Sequence, residues 1–319
     1  MGDSESEPLT KEESVVLVWL WLPLKVVLLL SYIRKISPFL QITGCSTGLG
    51  YALAENFSKG QGMKVIATAR QVTSLAPLSA FGVICLPLDV TDEESMKTCF
   101  KEIEGRVGRI SVVINNAGIS RFGPVVEQPL AEFQEVLHAN LFGVVRVVQY
   151  SIPLMMDRGG LVINVGSVTS QLTTPFSAAY SSSKAALLAV TNAMRMELQP
   201  FKICVTYAMA GSIKSNFGVN SAEGSRFDIY SSSGSLFKKW STNISERAVL
   251  SQGKYSMPPE KVAKSFLRVI RRFEKKRNVP FWFFCGGQAR MLWFLGLLQK
   301  IFGWPTNTLF TRLYNLNCD

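Results

Sequence analysis

This sequence predicts an α/β fold, a doubly wound parallel sheet with helices on both faces, and three observations carry the prediction. Short β-branched runs alternate with helix-length stretches through the middle of the 319-residue chain. Strands in such an order are joined by right-handed crossovers, which bring helices to both faces of the sheet. The first run leads into a glycine-rich turn, TGCSTGLG (Thr43–Gly50), just before a helical stretch. The small and polar motifs that punctuate the pattern fall after strand runs, at the edge where open parallel sheets bind ligands.

Taken in order, strands are expected at Leu40–Thr43, Lys64–Thr68, Gly82–Leu88, Ile110–Asn115, Leu161–Val165 and Ile203–Ala208, with a last one near Pro280–Phe284. Helices are expected at Gly50–Lys59, Asp92–Val107, Ala131–Met156 and Ala178–Gln199. The first strand, in SPFLQITG, starts beside Pro38, a residue tolerated at the beginning of a strand but not within it. No internal repeat interrupts the order.

Hydrophobic residues make up 47% of the chain, and the excess collects at its ends. Residues 1–38 form an extension containing VVLVWLWLPLKVVLLLSYI (residues 15–33), ~28 Å long as a helix and close to a bilayer core. Acidic residues precede it and Arg34 and Lys35 follow, which puts the bulk of the chain on the cytosolic side, at an endoplasmic reticulum or lipid-droplet surface. Only about five residues separate it from the first strand, which argues against a simple anchor. Residues 286–319 are apolar and aromatic, which suits a segment lying on a membrane or one packed over the substrate site. Between the ends, residues 39–285 are expected to form the catalytic domain, with a Ser-rich lid at 214–258.

The net charge of +11 calls for an anionic partner: nucleic acid, a membrane surface or a phosphorylated cofactor. From Lys261 to Arg277 eight basic residues stand against a single acid, Glu274. No zinc-finger spacing or RNA-binding signature accompanies them, so no nucleic-acid partner is expected. The six cysteines form no C-x-x-C pair and read as reduced thiols, and the lone His138 has no second histidine. No metal site is expected, and a Ser-His-Asp triad is disfavoured.

The motifs carry the chemistry. Gly44, Gly48 and Gly50 allow a tight turn and close approach of a pyrophosphate, with Ser46, Thr47 and Leu49 around a helix N-terminus. At the end of the second strand stands Arg70, where an NAD-preferring site carries an acid; an arginine binds a 2′-phosphate, so NADP(H) is favoured. Asp89, with Val90, is placed to accept from an adenine amino group. Asn115 leads into Asn116, Ala117 and Gly118, small enough for the backbone to lie along a cofactor. In FSAAYSSSKAAL, Tyr180 and Lys184 are one helical turn apart, so an ammonium can stand beside a phenol and favour its anion.

Together, Thr43–Gly50, Asp89, Asn115–Gly118, Asn140, Ser167, Tyr180 and Lys184 resemble the short-chain dehydrogenase/reductase family over residues 40–217. The resemblance implies a Rossmann-like fold, a nicotinamide cofactor and a hydrophobic carbonyl or alcohol substrate. It also implies roles: Tyr180 as proton donor or acceptor, Ser167 holding the substrate oxygen, Lys184 on the nicotinamide ribose, and Asn140 completing a proton relay. Ile213 and Ser215 stand where the family touches the nicotinamide amide. Ala210 replaces the family's proline after the sixth strand, and a looser turn is expected there.

ISERAVLSQ, the basic helix and the aromatic tail resemble a lipid-directed branch, the acyldihydroxyacetone-phosphate reductases of fungi and plants. Lys214, Arg226, Lys238 and Lys239 either meet a phosphate or are solvated lid residues. Other readings stay open: a steroid, retinoid or specialised-metabolite substrate, and a catalytically silent NADP-binding sensor or scaffold. Family members often form homo-oligomers through central helices, and one sequence does not decide whether this chain does.

Overall fold

A computed structural model describes residues 39–302. Seven parallel strands form one sheet in the order β3-β2-β1-β4-β5-β6-β7. They are β1 (Phe39–Thr43), β2 (Lys64–Ala69), β3 (Ile84–Pro87), β4 (Val112–Asn115), β5 (Gly160–Val165), β6 (Ile203–Ala210) and β7 (Trp282–Cys285). The order reverses at β1 and β4, whose pairing in register (Leu40 to Val112, Ile42 to Ile114) opens a crevice at their carboxyl ends. Despite its short sequence run, β1 lies between β2 and β4, and its residues Leu40 to Thr43 are buried.

Alternation along the strands divides the core. Leu40 and Ile42 of β1, and Val112 and Ile114 of β4, face the layer of α1 (Gly48–Gln61), where Leu53 and Phe57 pack. Val113 and Val162 face the opposite layer with Met96, Phe100, Val147 and Met194. Between β2 and β3 a 3-10 turn (Val72–Leu75) leads into a short α-helix, α2 (Ala76–Ser79). The opposite layer is built by α3 (Glu93–Val107), α5 (Gly143–Ser151) and α6 (Ala178–Glu197). Local signals set the ends of α3: the Asp92 carboxylate accepts from Glu94 N at 2.9 Å, and Gly108 at φ 69° terminates it.

The single helix expected over 131–156 is instead α4 (Leu130–Leu137) and α5, joined by a π turn at His138–Phe142. An inserted residue of that kind is invisible to periodicity, and here it carries Asn140. The third strand starts at Ile84 instead of Gly82, since Gly82 adopts φ 72° and belongs to the turn. The turn after β6 is not loose. Gly211 N donates to Cys285 O at 2.8 Å, and Ser212 and Gly287 exchange backbone hydrogen bonds in both directions.

The lid is more helical than its serines suggest: α7 (Phe217–Gly224), α8 (Phe227–Ser231) and α9 (Ser241–Val249) close over Phe176, Tyr230 and Ile244. Next comes α10 (Pro259–Lys276), which buries Val262, Phe266, Val269, Ile270 and Phe273 against the α1 layer. The last helix, α11 (Ala289–Phe302), packs Leu292 and Trp293 toward β7, with Trp293 5.6 Å from Phe284, while Met291, Phe294 and Ile301 are exposed. Among the described residues no helix is long and apolar enough to cross a membrane. The candidate segment at 15–33 lies outside the described residues, as do residues 303–319.

Candidate active site

The glycine turn is built by close approach. A Cβ on Gly50 would fall 2.3 Å from the Gly44 carbonyl oxygen and 2.5 Å from Asn116 Nδ2. One on Gly44, already at φ 70°, would fall 2.8 Å from Ala117 Cα. Thr43 locks the two loops together: its Oγ1 accepts from Asn116 N and Ala117 N, each at 3.0 Å. Asn116 Nδ2 donates back to Thr43 O and Gly44 O at 2.9 and 3.0 Å, so this side chain braces the turn.

At the mouth of the cradle α1 begins with Thr47 at the cap, no side-chain cap bond and no acid in its first turn. The first N–H groups of the helix therefore have no intrahelical acceptor and no side-chain cap. Ser46 and Thr47 are exposed and Leu49 is buried beneath them. Across the cradle, a Cβ on Gly48 would stand 2.9 Å from Ser215 Cβ, so the segment carrying Ile213 and Ser215 closes over the turn. Ser215 N is held by Gln252 Oε1 at 2.8 Å. Farther along, Asp89 Oδ1 accepts from Thr91 N and Oγ1 at 2.8 and 2.6 Å, which orients the carboxylate; Val90 next to it is buried, and Arg70 is exposed at the end of β2.

Deeper in the crevice the remaining groups converge. Asn140, fully buried in its π turn, accepts from Ile119 N at 2.8 Å and donates to Ile119 O at 2.9 Å and Ser183 Oγ at 3.0 Å. A Cβ on Gly118 would meet Asn140 Oδ1 at 2.9 Å and Lys184 Nζ at 3.8 Å, so the backbone here lies against both. The Lys184 ammonium donates to Val165 O at 2.9 Å and stands 5.7 Å from the centre of the Tyr180 ring. Burial alone lowers its pKa to about 8. Ser167 hydrogen-bonds the Tyr180 phenol. Burial raises the Tyr180 pKa; that hydrogen bond and the positive charge of Arg247 partly oppose it. The sequence suggested Lys184 for this opposing role; here Ser167 and Arg247 take it.

These positions can be set beside known proteins. The family profile for short chain dehydrogenase matches residues 39–225. The chain belongs to the short-chain dehydrogenase family. It is 39% identical over 178 residues to the NADPH-dependent 1-acyldihydroxyacetone phosphate reductase of Schizosaccharomyces pombe, covering 55% of this chain and 60% of that protein. It is 36% identical over 176 residues to the short-chain dehydrogenase ptmH of Penicillium ochrochloron, covering 54% of this chain and 65% of the relative. The chain thus spans less than two thirds of the length of these relatives. Among solved structures, a short-chain dehydrogenase from Streptomyces avermitilis superposes with TM-score 0.70 at 25% identity, over 89% of this chain and all of the other.

Some site residues of this short-chain dehydrogenase were not singled out from sequence. Tyr207, in the middle of β6, accepts from Ser167 N and donates to Lys184 O, both at 3.1 Å, and a Cβ on Gly166 would collide with its ring. It ties two chemical groups together across the sheet, yet in ICVTYAMA it looks like one more core aromatic. Arg247 of α9 is the second. Its Nε and Nη2 donate to Thr174 Oγ1 at 3.0 and 2.8 Å, and its guanidinium lies 5.0 Å from the Phe122 ring centre. By contrast Lys214, Arg226, Lys238 and Lys239 are all exposed.

Proposed function

We propose that this short-chain dehydrogenase is an NADPH-dependent reductase converting a ketone to an alcohol on a hydrophobic, lipid-like substrate of the acyldihydroxyacetone-phosphate type. The observation that carries the reading is the convergence of Ser167, Tyr180, Lys184 and Asn140 beside a glycine cradle that leaves no room for a Cβ.

The residues present fit a dinucleotide. Gly44, Gly48, Gly50 and the uncapped N-terminus of α1 would hold the pyrophosphate, Asp89 and Val90 the adenine, and Arg70 a 2′-phosphate. Asn116 to Gly118 would line the ribose, with Ile213 and Ser215 over the nicotinamide. Bound there, the cofactor supplies a hydride to the carbonyl carbon. The chain's own task is the proton. Its raised pKa keeps Tyr180 protonated at neutral pH, and it gives that proton to the carbonyl oxygen while the Ser167 hydroxyl fixes the same oxygen. Below a pH of about 8 Lys184 is charged, and its ammonium, held by Val165 O at 2.9 Å, would bind the nicotinamide ribose, while Arg247 and the Ser167 hydroxyl favour the phenolate left behind. Asn140, pinned by Ile119 and Ser183, holds the route by which the proton is replaced.

Arg247 favours a phosphorylated or otherwise anionic substrate, because its buried guanidinium acts electrostatically on Tyr180. A second reading is a neutral steroid, retinoid or specialised-metabolite ketone, which the apolar cluster of Phe176, Tyr230 and Ile244 beneath the lid would suit. The test is oxidation of NADPH, with NADH in parallel, against acyldihydroxyacetone phosphate, steroid and polyketide-like ketones. Tyr180→Phe should keep NADPH binding and lose nearly all turnover. Binding without turnover on any ketone would instead make the protein a silent sensor.

A further inference from the structure

The opposite edge of the sheet, where the strands begin, carries a second surface. Basic residues stand at the start of five of the seven strands: Lys64 in β2, Arg109 before β4, Arg158 before β5, Lys202 before β6 and Arg277 before β7. Backbone contacts fix them to this edge: Lys202 O accepts from Gly160 N at 3.3 Å, and Arg277 O from Cys204 Sγ at 3.3 Å. Arg158 and Arg277 are both close enough to Arg109 to act on it electrostatically.

The last turns of α10 extend the same edge. Arg271, Arg272, Lys275 and Lys276 are exposed, and Arg271 Nη2 donates to Gln61 Oε1 at 2.5 Å, so α10 and α1 end side by side. Acids are the minority here: Asp157 beside Arg158, Glu274 between Arg271 and Arg277, and Glu104 and Glu197 at the ends of α3 and α6.

Apolar side chains are interleaved with these charges. Met156, Met196 and Phe201 are 46%, 64% and 43% exposed, one to six residues from Arg158 and Lys202, and Phe81 lies under Lys59 Nζ at 3.7 Å. Exposed aromatics and methionines among lysines and arginines suit a lipid headgroup layer, where the apolar parts enter and the cations meet phosphates. Phe39, the first residue of β1, belongs to this edge too, and in sequence it follows closely on the most apolar stretch of the chain.

We propose that this edge docks on a bilayer surface rich in acidic phospholipid, which turns the crevice at the other edge of the sheet toward the aqueous side.

The experiment measures partition of the full-length protein onto phosphatidylcholine vesicles with and without phosphatidylserine. The variant combines Arg271→Gln, Arg272→Gln, Lys275→Gln and Lys276→Gln, and a second combines Arg158→Gln with Lys202→Gln. Wild type should prefer the phosphatidylserine vesicles, and high salt should abolish the preference. With each surface cation worth about fivefold, the four-site variant should lose on the order of 10³-fold on those vesicles and little on phosphatidylcholine. Retained NADPH binding shows that each variant is folded, since the crevice is at the other edge. Equal binding of wild type to both vesicles, or a preference that survives in both variants, overturns the proposal. So does displacement from the vesicles by duplex DNA at equal phosphate concentration, which would make the edge a nucleic-acid surface.

Discussion

Replacing Lys184 by methionine should stabilise the protein while abolishing its activity. The side chain is 5% exposed, and burial brings the ammonium from its ordinary 10.5 to about 8. At about 1.4 kcal/mol per tenfold change in proton affinity, holding the charge inside at neutral pH costs the fold about 3 kcal/mol. Lys184→Met keeps an unbranched stem and removes the charge. It also removes the donor to Val165 O, worth about 1–2 kcal/mol, so a net gain of about 1–2 kcal/mol remains. The sign of the pH dependence follows from where each state loses its proton. In the folded protein Lys184 deprotonates near 8, in the unfolded chain near 10.5, so between these values the unfolded state binds more protons. Wild-type stability therefore rises across that window, and the variant has no such contribution. Urea unfolding of both proteins near pH 7 and near pH 10 should show the difference between them shifting by about 2–3 kcal/mol, so that the variant's advantage disappears or reverses at the higher pH. A difference between the two proteins that does not change with pH would refute the reasoning.

Tyr207→Phe leaves Ser167 N and Lys184 O without their shared hydroxyl. It should lower stability by about 2 kcal/mol in urea unfolding and reduce kcat more than it raises KM. Arg70→Ala should weaken NADPH binding by about tenfold and leave NADH unchanged, read by cofactor fluorescence titration. Arg247→Met should cut kcat/KM for a phosphorylated ketone by about tenfold or more relative to a neutral one, with NADPH affinity unchanged; equal losses on both substrates would make Arg247 a structural strap between α9 and Thr174.

The sequence by itself determined what depends on neighbours along the chain. The glycine turn was legible because three glycines before a helix have a backbone reason to be there. Tyr180 and Lys184 were legible because a helix repeats every few residues, and the parallel sheet because strands and helices alternate. The role expected of Thr43–Gly50 as a motif also extends to Thr43, whose hydroxyl locks two loops that are 73 residues apart in sequence.

Only the tertiary structure decided the rest. Asn140 reaches the crevice through a π turn that no periodicity announces. Arg247 meets Thr174 and Tyr207 meets Ser167 across separations of 73 and 40 residues, and the basic edge gathers residues from five strand beginnings. Such contacts follow from where a twisted sheet brings its ends. A single chain records the residue types but not the distances between them, so a buried tyrosine in a strand reads as core until its hydroxyl is seen between two backbone groups.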